Sequence, residues 1–416
     1  MTGKVSEVNT IPAIFSGLCP NCGGDIDSQR LQLGIPCEKC LPNLNIEELK
    51  SKNRIERIEY IARLLEKRNL LKNYSEIYRL EKLYNEFEEF FKFLIGNKMW
   101  SAQRSWARRI FLGRNFSIIA PTGMGKTSFG AVMSLFLALR GKKCYIMLPT
   151  SILVRQVADK IQSMIEKGGY NIRLVYYHSL LTPKQKREMK ARIMNEDYDI
   201  LITTSFFLAI KFEEFLKGRF FDFIFVDDVD AFVKTSKNVD KVLMLLGFTE
   251  EIIDAGMRAA KLVTRAFFDK SAYEELRKLR EEIAEFKSSH RVGMLVVSGA
   301  SARAKRTLRV KLFKELLNFE VGRRVEGERN VVDAYLFPEK SIEEHVVDLV
   351  KRLGKGGLVF APMDKGSEYV TTLAKTLKEH GIKAEAYTSA RKKLLDQFVN
   401  GEIEVLVGVA SYRSPL

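Results

Sequence analysis

From about residue 99 to residue 321, short apolar runs alternate with stretches whose apolar positions recur every three or four residues. Phe116–Ile119, Lys143–Leu148, Arg173–Tyr177, Asp199–Thr203, Phe223–Val226 and Met294–Val297 read as buried strands. Ser128–Arg140, Ser151–Ile165 and the strongly basic Thr182–Met194 carry helical spacing between them. Strands separated by helices predict a mostly parallel, doubly wound α/β sheet. A Leu-, Ala-, Glu- and Lys-rich insertion, about 234–289, interrupts the rhythm and is expected to lie outside the sheet as helices. After Asn330 a second, shorter series begins, with strands at Gly357–Phe360, Ala384–Tyr387 and Glu404–Gly408 and helices at Lys365–His380 and Leu394–Val399. Upstream, Ile46 to Ile95 repeats Leu64, Leu65, Leu70, Leu71, Leu80, Leu83 and Phe87 at helical steps, which predicts two or three helices serving as a spacer.

This pattern divides the 416 residues into a small module (1–44), a helical linker (45–98), a first α/β domain (99–325) and an incomplete second one (326–416). No apolar run approaches the roughly 20 residues of a membrane helix, and no signal-peptide pattern opens the chain, so no membrane partner and a cytoplasmic setting are expected. The net charge of +16 and pI of about 9.4 favour a polyanionic partner, nucleic acid above all. A Lys-rich surface of a thermophilic protein is the plainer account of the same charge.

Of five cysteines, Cys19, Cys22, Cys37 and Cys40 form two Cys-x-x-Cys knuckles, whereas Cys144 sits in an apolar strand as a small buried residue. Each knuckle aims two thiolates at one ion, so the four predict a tetrahedral structural zinc site that replaces the missing core of a short polar segment. A redox pair or two disulfides are the rival readings.

Strand, turn and helix meet at Ala120-Pro121-Thr122-Gly123-Met124-Gly125-Lys126-Thr127. Glycines there let backbone N–H groups close round phosphates at a helix N-terminus, Lys126 reaches the β- and γ-phosphates, and the Thr127 hydroxyl ligates Mg²⁺. The residues point to a nucleoside triphosphate, with Ala120 standing where the first glycine is usual. About a hundred residues later, Ile224-Phe225-Val226 feeds Asp227-Asp228-Val229-Asp230, which places carboxylates at the C-terminal end of a strand. Asp227 is expected to hold Mg²⁺, and Asp228 to orient and deprotonate the attacking water.

The order of these motifs resembles the superfamily-2 helicases, with A-P-T-G-M-G-K-T as motif I and D-D-V-D as motif II, Asp228 replacing the more frequent Glu. Trp100 and Gln103 look like the adenine-reading Q motif, against the alternative of a buried Trp and a helix-surface Gln. Leu148-Pro149-Thr150 and Thr203-Thr204-Ser205 look like the backbone-tracking motifs Ia and Ib, and Ser298-Gly299-Ala300-Ser301 like motif III. Val359-Phe360-Ala361-Pro362 and Leu406–Ala410 look like motifs IV and V. Within the superfamily, the cysteine knuckles ahead of the motor, A-Q-R-S-W-A-R-R, D-D-V-D with its helical insertion and Y-R-S-P-L are similar to the N-terminal half of the reverse gyrases.

That resemblance implies a RecA-like ATP-binding domain, an incomplete second one and a zinc ribbon. It further implies ATP, Mg²⁺ and Zn²⁺ as cofactors, DNA (single-stranded and duplex) as partner and substrate, and a type IA topoisomerase part that introduces positive supercoils together with the motor. The chain ends within motif V and shows no motif VI arginine, so a fragment that binds nucleotide and hydrolyses it poorly is expected. A general superfamily-2 helicase and a non-catalytic nucleic-acid-binding fragment are the alternatives. Arg104, Arg108, Lys184, Lys186, Arg187, Arg303, Lys305 and Arg306 are the candidate phosphate contacts.

Overall fold

The computed structural model describes residues 12–121, 123–227, 236–299, 308–321, 339–388 and 392–409, whose contacts gather in two compact units, Met1–Glu326 and Gly327–Leu416. The first unit opens with a small hairpin, β1 (Ile14–Phe15) antiparallel to β2 (Ile26–Asp27). Helix α1 (Ser28–Leu33) is capped by the Asp27 carboxylate and stopped at Gly34 with φ +68°. After α2 (Ile46–Ser51), α3 (Arg54–Lys67) starts on a reciprocal cap between Asn53 and Glu56, which satisfies N–H groups that a helix start leaves open. Helix α4 (Tyr74–Ile95) follows and ends at Gly96, φ +85°.

These helices are shared between two cores rather than forming a spacer. Leu49, Ile58, Ile61, Ala62, Leu65 and Tyr74 pack with Cys19, Ile26, Ile35, Cys37 and Cys40. The second half of α4 belongs elsewhere, sending Tyr84, Phe87, Phe91 and Leu94 into the core of the large sheet. A ribbon with so little apolar surface cannot bury a core alone, so its neighbouring helices cover it and become part of it. Phe87 meets Phe91, Phe111, Phe129 and Phe136 edge-on at centroid distances of 5.0–6.1 Å.

Beyond α5 (Ser101–Phe111), the sheet strands are β3 (Phe116–Ile119), β4 (Cys144–Leu148), β5 (Leu174–Tyr177), β6 (Ile200–Thr204), β7 (Phe223–Val226), β8 (Met294–Gly299) and β9 (Glu320–Val321). They run parallel in the order β5-β6-β4-β7-β8-β3-β9. Alternation along each strand splits the core between the two faces. Cys144, Ile146 and Leu148 face α4 to α6 (Lys126–Ala138) and α7 (Ser151–Gly168), whereas Tyr145 and Met147 face α9 (Ser205–Lys211) and the later helices. The basic helix α8 (Pro183–Met194) has Thr182 and Gln185 as its capping box.

The insertion is helical, as expected. Helices α10 (Ser236–Leu245), α11 (Glu250–Leu262) and α12 (Lys270–Ser289) make the crossover from β7 to β8 without contributing a strand. Val239, Val242 and Leu243 of α10 nevertheless sit in the sheet's core, while α11 and α12 pair through Ala255, Ala259, Leu276 and Leu279. Helix α13 (Leu308–Leu317) and the edge strand β9, which pairs with β3 and has no counterpart in the sequence pattern, complete the unit.

The second unit comprises α14 (Ile342–Leu353), β10 (Gly357–Ala361), α15 (Gly366–Glu379), β11 (Ala384–Tyr387), α16 (Lys392–Val399) and β12 (Val405–Val409), with parallel strands in the order β10-β12-β11. Among the described residues no helix is long and apolar enough to cross a membrane.

Candidate functional site

The cysteine knuckles converge because two tight turns fold under their own sulfurs. Gly23, at φ +69°, returns its N–H to the Cys19 carbonyl at 2.9 Å, and Cys40 does the same to Cys37 at 3.0 Å. The Sγ atoms of Cys19, Cys22, Cys37 and Cys40 all lie within 4.8 Å of one another, with Cys22 and Cys37 3.6 Å apart. A tetrahedral zinc with Zn–S of about 2.3 Å requires sulfur–sulfur distances of about 3.8 Å, so the set fits. Burial opposes ionisation of Cys19, yet the N–H groups of Cys22, Cys37 and Asn21 directed at its sulfur bring it down to about 6. The four cysteines form a zinc-binding site; none is in a disulfide.

The phosphate-loop residues stand at the C-terminal end of β3. Gly123 and Gly125 have φ +81° and +71°, the left-handed region that only glycine enters without strain. Ala120 is not among the positive-φ residues, so a Cβ is admissible where the family pattern has its first glycine; its N–H donates to the Gly299 carbonyl at 3.2 Å. Gly125 caps α6 with no side chain bonded to the first-turn N–H groups and no acid in that turn, which leaves them directed at the loop. The Lys126 ammonium donates to the carbonyls of Ala120 and Pro121 at 2.7 and 2.8 Å. Burial lowers its pKa, and the nearby Asp227 carboxylate counters that shift.

Gly130, one turn further, has a different reason to be glycine. A Cβ there would lie 2.5–2.6 Å from the Phe225 ring on β7, so α6 rests directly on the sheet. Gly130→Ala is expected to lower stability by roughly 1–3 kcal/mol through overpacking, read as a lower melting temperature of this unit in a thermal scan.

Strand register brings the first acid of D-D-V-D to the loop. Val226 pairs with Val297 and Ile118 with Ser298, so the next residue after β7, Asp227, is set beside Ser298 on the strand between it and β3. The Thr127 hydroxyl donates to Asp227 Oδ2 at 2.5 Å, and the Ser298 hydroxyl donates to Oδ1. Lys126, Thr127, Asp227 and Ser298 are thus one cluster. The sequence points to Ser298 only through a loose motif, because nothing local marks it; its place depends on the sheet order.

Gln103 is buried beneath the loop, and Trp100 is 53% exposed, the reverse of a buried Trp with a surface Gln. The Gln103 Oε1 accepts from the Trp100 N–H at 3.0 Å, and its Nε2 lies 3.0 Å from where a Cβ on Gly125 would stand. Pro121 opens the loop, and Met124, between its two glycines, leans on the core. Thr122 and Asp228 lie outside the described residues, as do Ala300, Ser301, Arg303, Lys305, Arg306 and the Y-R-S-P-L segment. Arg104 and Arg108 are committed within the fold, to Glu88 at 3.0 Å and Glu81 at 3.4 Å, and so pin α5 to α4. Lys184 and Arg187 are exposed on α8, with Lys186 half-buried between them.

Two family models match the chain: the reverse gyrase zinc finger over residues 10–56 and the DEAD/DEAH box helicase over residues 100–254. A reverse gyrase of Pyrococcus horikoshii is 48% identical across 97% of this chain and 25% of that protein. Reverse gyrase 1 of Aquifex aeolicus is 44% identical across 98% of this chain and 33% of its own length. The chain is homologous to the reverse gyrases over nearly its whole length. It matches the helicase-like part and spans about a quarter to a third of the length of these relatives. A solved DEAD box protein from Methanococcus jannaschii aligns over 76% of each chain at 19% identity, with a TM-score of 0.38.

Proposed function

We propose that the chain is the ATP-dependent, DNA-binding motor of a reverse gyrase, acting in the cytoplasm with a type IA topoisomerase part to introduce positive supercoils. The observation that carries this reading is the cluster of Lys126, Thr127 and Asp227 around an uncapped glycine loop, in a chain homologous to reverse gyrases. In this reading Pro121, Thr122, Gly123, Met124 and Gly125 cradle the phosphates, Lys126 neutralises them, and Gln103 recognises the adenine from below. Thr127 and Asp227 hold Mg²⁺, which when bound screens the phosphate charge. Ser298 and Thr127 fix the Asp227 carboxylate by two hydroxyl donors, so it is oriented before nucleotide arrives. Asp228 is the base that takes the proton of the attacking water. The exposed cations of α8 and the excess of positive charge supply the affinity for DNA phosphates.

ATP turnover and single-stranded DNA affinity, measured on the chain and on Asp228→Asn, test the proposal. DNA-stimulated turnover that the substitution abolishes, with DNA affinity altered by a non-hydrolysable ATP analogue, is expected. Turnover indifferent to DNA, together with DNA affinity indifferent to nucleotide, would refute the motor reading.

A further inference from the structure

One buried polar side chain in the cysteine module is neither a metal ligand nor part of any motif. Asn21, between the first two cysteines, is 1% exposed, and its amide is fully engaged. The Nδ2 donates to the Cys40 sulfur at 3.3 Å and to the Leu70 carbonyl at 2.8 Å. The Oδ1 accepts from the Lys72 N–H at 2.9 Å, and the Asn21 carbonyl accepts from the Asn73 N–H at 3.2 Å. Three of the four partners belong to residues 70–73, the turn that joins α3 to α4, and the fourth is a sulfur of the metal cluster. No side chain caps the first turn of α4, so Asn21 holds the entry to that helix where a capping side chain is absent.

We propose that Asn21 is a positioning residue that locks the metal cluster to α4. Its donor to Cys40 is stronger to a metal-bound thiolate than to a protonated thiol, because a hydrogen bond to a charged acceptor is roughly twice as strong as one between neutral groups. With the sulfur so engaged, the amide plane is fixed and its other edge clamps Leu70 and Lys72. The clamp reaches far because α4 is one continuous helix. Its start lies at Tyr74 in the ribbon's core and its second half packs Phe87 against Phe129 and Phe136 of α6, the helix that begins at the phosphate loop. Metal occupancy therefore sets the rigidity of an element that crosses from the ribbon to the helix that follows the loop.

The test compares the zinc-loaded chain with Asn21→Ala and Asn21→Asp, using the rate of zinc release to a chromogenic chelator and hydrogen exchange of the α4 amides. Asn21→Ala removes both donors and the acceptor, while Asn21→Asp keeps the acceptor for Lys72 and sets a carboxylate against the thiolates. Both are expected to release zinc about 10–100-fold faster, the range for removing a partner of a metal ligand, with Asp the faster. Stripping zinc from the unsubstituted chain is expected to accelerate exchange along the first turns of α4. In the variants, those turns exchange fast already and respond little to stripping. Wild-type zinc release in both variants, or α4 protection that still depends on zinc to the full extent, would overturn the proposal. Should Asn21→Ala fail to fold, Asn21→Asp carries both readouts.

Discussion

Lys126→Ala is expected to reduce ATP turnover by roughly 10²–10³-fold, the scale seen when one preorganised charged or polar donor is lost from a transition-state site. The ammonium is held at the mouth of the loop by the Ala120 and Pro121 carbonyls, two neutral acceptors that a polyphosphate outcompetes. Partial burial disfavours its charge, Asp227 offsets part of that, and phosphate would offset more. Alanine removes the only side-chain cation of the loop while leaving the glycine turn and the α6 N-terminus in place. Nucleotide binding should therefore weaken while the melting temperature without nucleotide stays close to that of the parent chain. Fluorescent-nucleotide titration and a coupled ATPase assay check the two halves. Turnover within a few-fold of the parent would mean that Lys126 does not meet the phosphates.

Cys37→Ser is expected to cost the ribbon its structure, the larger effect on stability. Cys37 is buried in a small core with Cys19, Cys40, Ile26 and Ile35, and the metal does much of the work that apolar area does elsewhere. Structural zinc contributes an apparent binding free energy of about 10–16 kcal/mol in zinc-finger peptides, comparable to what the few large apolar side chains of this core supply by burial at about 1.5–3 kcal/mol each. Loss of one thiolate should abolish stoichiometric zinc and unfold residues 12–51, with the start of α4 loosened. The large sheet should survive on its own two cores. Zinc content by atomic spectroscopy and circular dichroism melting decide the matter. A single unchanged melting transition with normal zinc content would contradict it.

Several features are legible in the chain alone because each depends on near neighbours. The knuckles follow from Cys-x-x-Cys spacing, the strand–glycine turn–helix unit from Gly123, Gly125, Lys126 and Thr127 between an apolar run and a helical repeat, and the alternation of strands and helices from hydrophobic period. Boundaries differ by a few residues: α6 starts at Lys126 rather than Ser128, and β8 runs to Gly299 rather than Val297. The reason is that helix starts and strand ends are set by φ at Gly125 and by pairing with β3, not by apolar content alone.

Other features are decided between distant parts of the chain. The helices of residues 46–95 read as a spacer because their apolar positions do not declare what they face; only packing divides them between ribbon and sheet. Ser298 joins Asp227 through the register of β7, β8 and β3, and β9 forms through pairing with β3 despite its brevity. Arg104 and Arg108 are candidate DNA contacts by charge, and only the fold shows that each, about half exposed, also pairs with an acid of α4, Glu88 or Glu81. Asn21 carries no motif at all, and its role depends on residues some fifty positions away. The sequence by itself determined which chemistry is present, since thiolates, a glycine turn, Lys126 and Asp227 have those properties wherever they sit. Tertiary structure alone decided which of these groups meet, because strand order and helix packing are cooperative and no local window contains them.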